Sequence, residues 1–368
     1  MAGVKIGVVG VGHLGKEHAR ILSTLPGVEL AGIADPFKAQ AEAVALRCNT
    51  KSYASHLELM DKVDAVVIAA PTRLHHEIAL DFLNRGLSVL VEKPICMDPE
   101  KAWELAKLSR QRKATLQVGH IERFNPAFEA VAALPMKPRY IRCERLGVFS
   151  GRSSDTGVVL DLMIHDIDLV CSLTKSKLVS TQALGVAVLG GHEDMAQARL
   201  VFANGTICDL AASRVHPEPR RRMDLWAAEG YAGIDFIAKQ ATLMQPGQIL
   251  RDLAESAPAR LDPQLVSSFK SNLFSTQVES KKLDCSKRPG DQLTWELEDF
   301  VKAITTGEAP RVNGEAGAHA VEVASRVLDS ICGHKWQGEQ GPETGPWDIP
   351  ALQGKMFQAL TISKESAA

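Results

Sequence analysis

The first third of the chain alternates short apolar runs with longer segments whose apolar residues recur at helical spacing. Continuous apolar runs predict strands buried on both faces, and helical spacing predicts amphipathic helices. The predicted strands are Val4–Val9, Val28–Ala34, Asp64–Ala70, Ser88–Val91 and Thr115–Val118. The predicted helices are His13–Leu25, Ala39–Leu46, Leu74–Asn84 and Pro99–Arg112. This alternation indicates βαβ units and a parallel sheet.

The rest of the chain has a different pattern, in which strands follow one another directly. The predicted strands are Arg139–Phe149, Val179–Leu189, Ala196–Phe202, Thr206–Arg214, Arg222–Ala228 and Tyr231–Phe236. The predicted helices are Val158–Leu173, Leu293–Ile304 and Glu315–Ile331. Ala203-Asn204-Gly205 is a strong hairpin signal between two of the strands. This part therefore predicts an α+β domain on a largely antiparallel open sheet.

A length of 368 residues favours two domains rather than one. We expect an α/β domain at residues 1–122 and the α+β domain, for substrate binding and oligomerisation, at 123–333. Residues 246–291 have a weak pattern and predict a partly helical surface excursion. The tail at 334–368 is interrupted by Gly and Pro and predicts irregular structure.

Composition and charge narrow the possible partners. The formal net charge is −2, which gives no bulk attraction to nucleic acid or to an anionic membrane. No apolar run approaches the roughly 18 residues of a membrane span, and the N-terminal run is too interrupted by glycine for a signal peptide. The seven cysteines are scattered without a C-x-x-C pair, which favours a reducing, cytoplasmic location and no metal site.

The segment VVGVGHLGKEHA places Gly10, Gly12 and Gly15 directly after a predicted strand and at the start of a predicted helix. The G-x-G-x-x-G dinucleotide fingerprint requires this context. The first glycine permits a tight turn, the second lets a pyrophosphate approach the backbone, and the third allows close helix–strand packing. The helix start at His13 and Leu14 offers N–H groups to the anion.

Asp35 ends the second predicted strand. An acid there accepts hydrogen bonds from ribose hydroxyls and repels a 2′-phosphate, so NAD is favoured over NADP. Lys38 lies close enough to weaken that preference. The alternative is an ordinary strand–turn–helix with a solvated aspartate, but the glycines, the acid and the βαβ context agree on a Rossmann dinucleotide-binding domain.

In SVLVEKPICMD, residues 88–98, an apolar strand runs into Glu92, Lys93 and Pro94. Proline disfavours helix at the preceding residue and ends a central strand, so Lys93 is held at the strand's edge. Ligands bind at the carboxyl ends of parallel strands, which makes Lys93 a site candidate. The alternative is a solvated lysine at a strand end.

The apolar segment VVLDLMIHDIDLVCSL contains one polar stripe. At about 100° per residue, Asp161, His165, Asp168 and Ser172 fall on one side of a helix, and Asp166 points elsewhere. Burying such a stripe is costly without partners. From these residues alone, three hypotheses stay open: a satisfied core histidine with acids, a metal site, or a histidine general base aimed at a nicotinamide.

Together these motifs resemble the glucose–fructose oxidoreductase/inositol dehydrogenase (Gfo/Idh/MocA) family. The resemblance covers roughly residues 4–240 and 290–333. It is carried, in order, by Gly10–Gly15, Asp35, APTRLHHEIA at 70–79, Glu92-Lys93-Pro94 and GVVLDLMIHDID at 157–168.

The family likeness implies hydride transfer between NAD and a sugar carbinol. By this resemblance His165 is the general acid/base, Asp161 is its neighbour in the site, and Lys93 hydrogen-bonds the reacting hydroxyl. Further cofactor contacts implied beyond the glycine turn are Pro71, Thr72, His75, Glu92 and Lys93. His76 is expected to be incidental. A homodimer or homotetramer through the second domain's sheet is also implied.

A narrower likeness lies in VGHIERFNPAF, residues 118–128. It is similar to family members that oxidise the 3-hydroxyl of UDP-N-acetylglucosamine or its uronic acid, which implies that Arg123 and Asn125 face the substrate. The alternative is a helix-start loop with Asn125 as cap and Pro126 in the first turn, and both can hold. Arg214 or the run Arg220–Arg222 could grip a diphosphate, although such a run is more often a solvated face.

We therefore expect an NAD-dependent oxidoreductase that acts on C3 of a UDP-N-acetylaminosugar. One alternative is a free polyol or inositol dehydrogenase of the same family. Another is a non-catalytic protein that senses a dinucleotide or a sugar, which the presence of both Lys93 and His165 disfavours.

Overall fold

The computed structural model describes residues 3–149, 156–188, 191–248, 251, 278–285, 290–336 and 339–340. Most of the excursion predicted at 246–291 and of the tail predicted at 334–368 lies outside these ranges, as does Leu189 at the end of one predicted strand. The described chain forms two large sheets and the helices that cover them.

The N-terminal sheet is fully parallel. Its strands are β1 Val4–Val9, β2 Val28–Ala34, β3 Ser52–Tyr53, β4 Ala65–Ile68, β5 Ser88–Glu92 and β6 Leu116–Gly119. Their spatial order is β3-β2-β1-β4-β5-β6. The strand order reverses between β1 and β4, which is where ligands bind in doubly wound sheets. The predicted Rossmann domain is confirmed.

Four helices connect these strands. They are α1 Gly15–Leu22, α2 Lys38–Arg47, α3 Thr72–Asn84 and α4 Pro99–Arg112. Asp98 caps α4 by accepting from the N–H groups of Glu100 and Lys101, with Pro99 in the first turn. Short 3₁₀ turns at His56–Leu59 and Ile121–Phe124 were not predicted.

The second sheet has eight strands, and all its pairings except β7–β10 are antiparallel. They are β7 Tyr140–Leu146, β8 Leu178–Val186, β9 Met195–Phe202, β10 Ile207–Ser213, β11 Arg220–Ala227, β12 Gly230–Asp235, β13 Gln240–Pro246 and β14 Val278–Leu283. The spatial order is β14-β13-β12-β11-β7-β10-β9-β8. The largely antiparallel sheet is confirmed, but β13 and β14 were not predicted. β14 (VESKKL) is charged and mostly exposed, so it has no apolar pattern that indicates a strand.

The remaining elements are α5 Pro126–Ala132, α6 Ile164–Thr174, α7 Gln292–Thr306, α8 Gly314–Cys332 and the short pair β15 Lys335–Trp336 and β16 Glu339–Gln340. A π-helical turn at Val159–Met163 leads into α6. The predicted helix at 158–173 is therefore not a regular α-helix at its start, which changes where Asp161 points relative to His165.

Helix α7 completes the N-terminal core although it is distant in sequence. Leu297 and Phe300 are fully buried in a cluster with Ile6, Val8 and Leu22. The hydrophobic core of the N-terminal sheet therefore includes residues from α7. The predicted boundary between residues 122 and 123 assigns α7 to the other domain.

Phe300→Ala is expected to lower the free energy of unfolding by about 3–5 kcal/mol, because it empties a fully buried site in that core. Urea denaturation measures the change. Lys302→Ala, at an exposed position of α7, is the control and should stay within about 0.5 kcal/mol. Equal effects of the two substitutions would contradict the packing described.

Candidate active site

The glycine turn after β1 has the geometry of an anion cradle. Gly10 has φ +83°, and a Cβ on Gly15 would lie 1.8 Å from the Gly10 carbonyl oxygen. A Cβ on Gly12, in contrast, would have nothing within 4 Å. The first and third glycines are thus needed by the fold, whereas the second opens a space that a side chain would fill. That space suits the close approach of a pyrophosphate.

Asp35 and the start of α1 complete the cradle. The Asp35 carboxylate accepts from the N–H groups of Val11 and Phe37, both at 2.9 Å, and each oxygen keeps a lone pair for a ribose hydroxyl. His13 and Leu14 are exposed at the beginning of α1, where no side chain caps the helix. These residues fit the adenosine and pyrophosphate of NAD.

His75 lies under the next loops rather than on their surface. It is 1% exposed, and its ring nitrogens contact the carbonyl oxygens of Ala70 at 2.7 Å and Pro94 at 2.9 Å. Burial lowers the pKa of His75, and the two carbonyl contacts oppose that shift. His75 connects the loops after β4 and β5. Pro71 is the N-cap residue of α3, and Thr72 is its first residue.

Lys93 joins the two halves of the molecule. Its Nζ donates to the main-chain oxygen of Asp161 at 2.6 Å and to the Asp161 Oδ1 at 3.0 Å. Asp161 lies in the π-helical turn before α6. The lysine predicted at the end of β5 is therefore held against the predicted polar segment of the second domain.

His165 lies one turn after Asp161 and is half-buried. No described residue hydrogen-bonds its ring, and its Nδ1 is shielded from solvent. Burial, and then the Lys93 ammonium, lower the pKa of His165 well below its ordinary value. The ring is consequently a neutral imidazole at neutral pH, the form in which it can accept a proton.

His120, at the end of β6, packs beside this histidine. The two rings are perpendicular with centroids 6.1 Å apart. His120 is 1% exposed, neither of its ring nitrogens has a hydrogen-bond partner, and burial lowers its pKa. His120 is not among the predicted site residues, although "VGH" directly after a buried strand places it at the carboxyl edge of the sheet.

The other members of the polar stripe are paired elsewhere. Asp168 forms a bidentate ion pair with Arg123, whose Nε donates to Oδ2 at 2.6 Å and whose Nη2 donates to Oδ1 at 2.9 Å. The Ser172 hydroxyl donates to the carbonyl oxygen of Leu169. Among the described residues, no group of three or more His, Cys, Asp or Glu side chains could hold a metal ion.

Asn125 is the N-cap residue of α5, as in the predicted helix-start alternative. Its Oδ1 accepts from Ala127 N, and its Nδ2 donates to Glu122 and to the Phe236 carbonyl oxygen. At 1% exposure the side chain has no surface to offer a sugar. The Arg123 side chain is 14% exposed and forms an ion pair with Asp168. In this structure Asn125 and Arg123 therefore stabilise the fold and are not free to contact a substrate.

A buried ion network lies beneath His165. Arg145 of β7 donates to Asp166 at 2.8 and 3.1 Å and to Glu122 at 2.8 Å. Burial raises the pKa of Asp166 against the opposing charge of Arg145. Burial acts to raise the pKa of Glu122, but the charges of Arg145 and Arg221 and the hydrogen bonds from Arg145 and Asn125 together lower it, and the net shift is downward. This network fixes α6 to β7, and its tertiary pairing was not visible in the sequence.

A second buried cluster lies behind Lys93. Glu92 accepts from His18 Nε2 at 2.7 Å, so it faces α1 rather than the open cofactor cradle. Burial acts to raise the pKa of Glu92, but His18, Lys93 and His75 together lower it, and the net shift is downward. Glu296 of α7 is fully buried with neither carboxyl oxygen paired. Burial, with the Glu92 charge, raises the pKa of Glu296 well above its ordinary value.

Comparison with known proteins agrees with this architecture. The family model described as "Oxidoreductase family, NAD-binding Rossmann fold" of the Gfo/Idh/MocA group matches residues 4–120. The model described as "GFO/IDH/MocA C-terminal domain" matches residues 138–232.

The relatives include named dehydrogenases. A UDP-N-acetylglucosamine 3-dehydrogenase of Acidithiobacillus ferrooxidans is 35% identical over 332 residues, covering 90% of this chain and 98% of the relative. An inositol 2-dehydrogenase of Rhizobium meliloti is 30% identical over 228 residues, covering 57% of this chain and 69% of the relative.

Solved structures of other proteins have the same fold as this chain. A structure of the Acidithiobacillus ferrooxidans enzyme superposes with a TM-score of 0.78 at 33% identity, covering 90% of this chain and 98% of that one. A levoglucosan dehydrogenase in complex with NADH and levoglucosan gives a TM-score of 0.73 over 89% of this chain and 97% of that one. Its 16% identity shows the shared fold alone.

Gly12→Val should weaken NADH binding at least about tenfold without lowering thermal stability, because the added side chain occupies the open cradle. Gly15→Ala should instead lower stability, because its Cβ meets the Gly10 carbonyl. Fluorescence titration and thermal denaturation measure the two effects. Unchanged NADH affinity in a folded Gly12→Val protein would count against the cradle.

The free energy of unfolding of Glu296→Gln, minus that of the wild type, should increase as the pH rises. A raised pKa means that the native state keeps a proton that the unfolded state loses above about pH 4.5. Wild-type stability therefore falls with increasing pH through this group, by at most about 1.4 kcal/mol per pH unit, and glutamine removes that fall. Denaturant unfolding from pH 5 to 8 tests it, with the exposed Glu298→Gln as control. A difference that does not vary with pH would refute it.

Proposed function

Because the chain belongs to the Gfo/Idh/MocA family of NAD-binding oxidoreductases, we propose that it oxidises the 3-hydroxyl of a UDP-N-acetylaminosugar. UDP-N-acetylglucosamine is the first candidate, after the name of the relative that is 35% identical over nearly its whole length. The observation that carries the proposal is the contact of Lys93 Nζ with Asp161 one helical turn before His165. This contact supports a site in which an ammonium and a neutral imidazole act on the same substrate oxygen.

His165 acts as the general base in this proposal. Its depressed pKa keeps the ring neutral, so it can take the hydroxyl proton from the carbinol without first losing one. Nδ1 is shielded inside the protein, which leaves Nε2 as the nitrogen to face a substrate. In the reverse direction the protonated ring returns the proton to the carbonyl oxygen.

Lys93 acts on the same oxygen. It donates a hydrogen bond to the carbinol and stabilises the negative charge that develops as the proton leaves. Asp161 holds the flexible lysine side chain at the crevice, so less ordering remains to be done when substrate binds. Bound NAD supplies the hydride acceptor, and the products are a 3-keto sugar nucleotide, NADH and a proton. Gly12 and Asp35 hold the cofactor.

A free polyol or inositol is the second candidate substrate, since an inositol 2-dehydrogenase is among the relatives. The same Lys93 and His165 chemistry would serve it, so the distinction depends on recognition of the nucleotide. A sensor without catalysis would not need both groups in one crevice.

We also expect a cytoplasmic homodimer or homotetramer. The second sheet has an open face on which Trp226 stacks against Tyr140 at 5.2 Å and contacts Tyr231. Such an exposed aromatic group suits a contact between two copies. Of the helices that the structure describes, none combines the length and apolarity needed to cross a bilayer.

Turnover of UDP-N-acetylglucosamine with NAD, followed by NADH formation, tests the function. We expect kcat/KM for it to exceed that for myo-inositol and free N-acetylglucosamine. Lys93→Met should lower kcat about 10²- to 10⁴-fold while NADH still binds, and Lys101→Met, exposed on α4, should not. A higher kcat/KM for a free polyol would contradict the proposed UDP-sugar substrate. Wild-type kcat in Lys93→Met would contradict the proposed role of Lys93.

A further inference from the structure

The run Arg220–Arg222 is divided between the two faces of its sheet. Because strand side chains alternate, Arg221 lies on the same face as the buried Met223 and Leu225. Arg220 and Arg222 lie on the open face, where they pair with Glu144 at 3.2 Å and Asp235 at 3.6 Å. Of the three arginines, only the middle one is directed to the side of the sheet that carries α6.

Arg145 links Arg221 to the segment that carries His165. It is directly opposite Arg145 in the β11–β7 pairing, and the Arg145 guanidinium binds Asp166, which follows His165 in the chain. The electrostatics agree, because Arg221 is among the cations that lower the pKa of His165, after burial, Lys93 and Arg145.

The charge of Arg221 is incompletely compensated. Within the described residues its ion pair is with Glu122 Oε1 at 3.9 Å, and half of its side chain is exposed. That same oxygen accepts the tighter 2.8 Å contact from the buried Arg145, and the other Glu122 oxygen accepts from Asn125. Two like charges opposite each other are unfavourable. Arg221 is therefore a cation available to an incoming anion.

The other candidate arginine is already engaged. Arg214 is 7% exposed, and it donates to Asp194 Oδ1 at 2.6 Å and to the Thr156 carbonyl oxygen at 2.8 Å. A phosphate could bind there only by displacing a buried ion pair, which costs several kcal/mol.

We propose that Arg221 binds the diphosphate of the sugar nucleotide and makes the site select nucleotide-linked over free sugars. The inference rests on the proposed function. In such a substrate the diphosphate is attached to C1, and only C2 separates C1 from the reacting C3. A base at the 3-hydroxyl therefore has the anion about one sugar ring away. Arg221 is separated from His165 by the Arg145–Asp166 ion pair and still lowers the pKa of His165. The guanidinium fork can bind a phosphate through two parallel N–H groups.

Arg221→Met tests this against the matched Arg222→Met, which removes an adjacent arginine from the opposite face. For UDP-N-acetylglucosamine, Arg221→Met should raise KM about 10- to 100-fold, or about 1.4–2.7 kcal/mol, with kcat within about twofold of the wild type. Arg222→Met should change neither constant. KM for free N-acetylglucosamine should be the same in all three proteins, and Arg221→Lys should recover part of the loss.

Calorimetric titration with UDP in the presence of NADH separates this inference from the proposed function, since it needs no turnover. Weaker UDP binding by Arg221→Met than by the wild type and Arg222→Met supports the role of Arg221 even if a different UDP-sugar is oxidised. Equal UDP binding by the three proteins, absence of UDP binding by the wild type, or an equal rise of KM for free N-acetylglucosamine would overturn it.

Discussion

The hydrogen bonds from Lys93 Nζ to the backbone and carboxylate of Asp161 are the interaction on which the site depends. One partner ends a strand of the parallel sheet, and the other begins the helix that carries His165. Each is fixed independently, the first by the loop that His75 supports and the second by a π-helical turn. Such turns occur often at functional sites, since they redirect a side chain without ending the helix.

The charges around this link suit a reaction in which an oxygen becomes negative. Lys93 and Arg145 lower the pKa of His165, after burial, so the imidazole stays neutral and the field favours an anion beside it. Arg145 donates to the buried carboxylates of Asp166 and Glu122, and Lys93 donates to Asp161. Arg221 is half exposed and lies 3.9 Å from Glu122, so it is the least compensated of the three cations. In the proposed reaction Lys93 faces the oxygen on which charge develops, and Arg221 faces the diphosphate.

The sequence was sufficient where the determinants are local. The glycine turn, Asp35 and the strand-ending Glu92-Lys93-Pro94 follow from short motifs and from burial of parallel strands, and the structure contains those elements. It was insufficient where pairing is tertiary. Glu296 enters the cluster behind Lys93 from α7, which no spacing rule predicts. The predicted polar stripe requires a regular α-helix, but Asp161 lies in a π-helical turn, and Asp168 pairs with Arg123.

A double-mutant cycle on kcat for oxidation of UDP-N-acetylglucosamine, built from Lys93→Met, His165→Asn and their combination, tests the central claim most directly. If both side chains act on one carbinol oxygen, the second substitution should cost much less in the background of the first, as groups that act as a unit are strongly non-additive. Effects that multiply independently, or either single variant with wild-type kcat, would contradict the account.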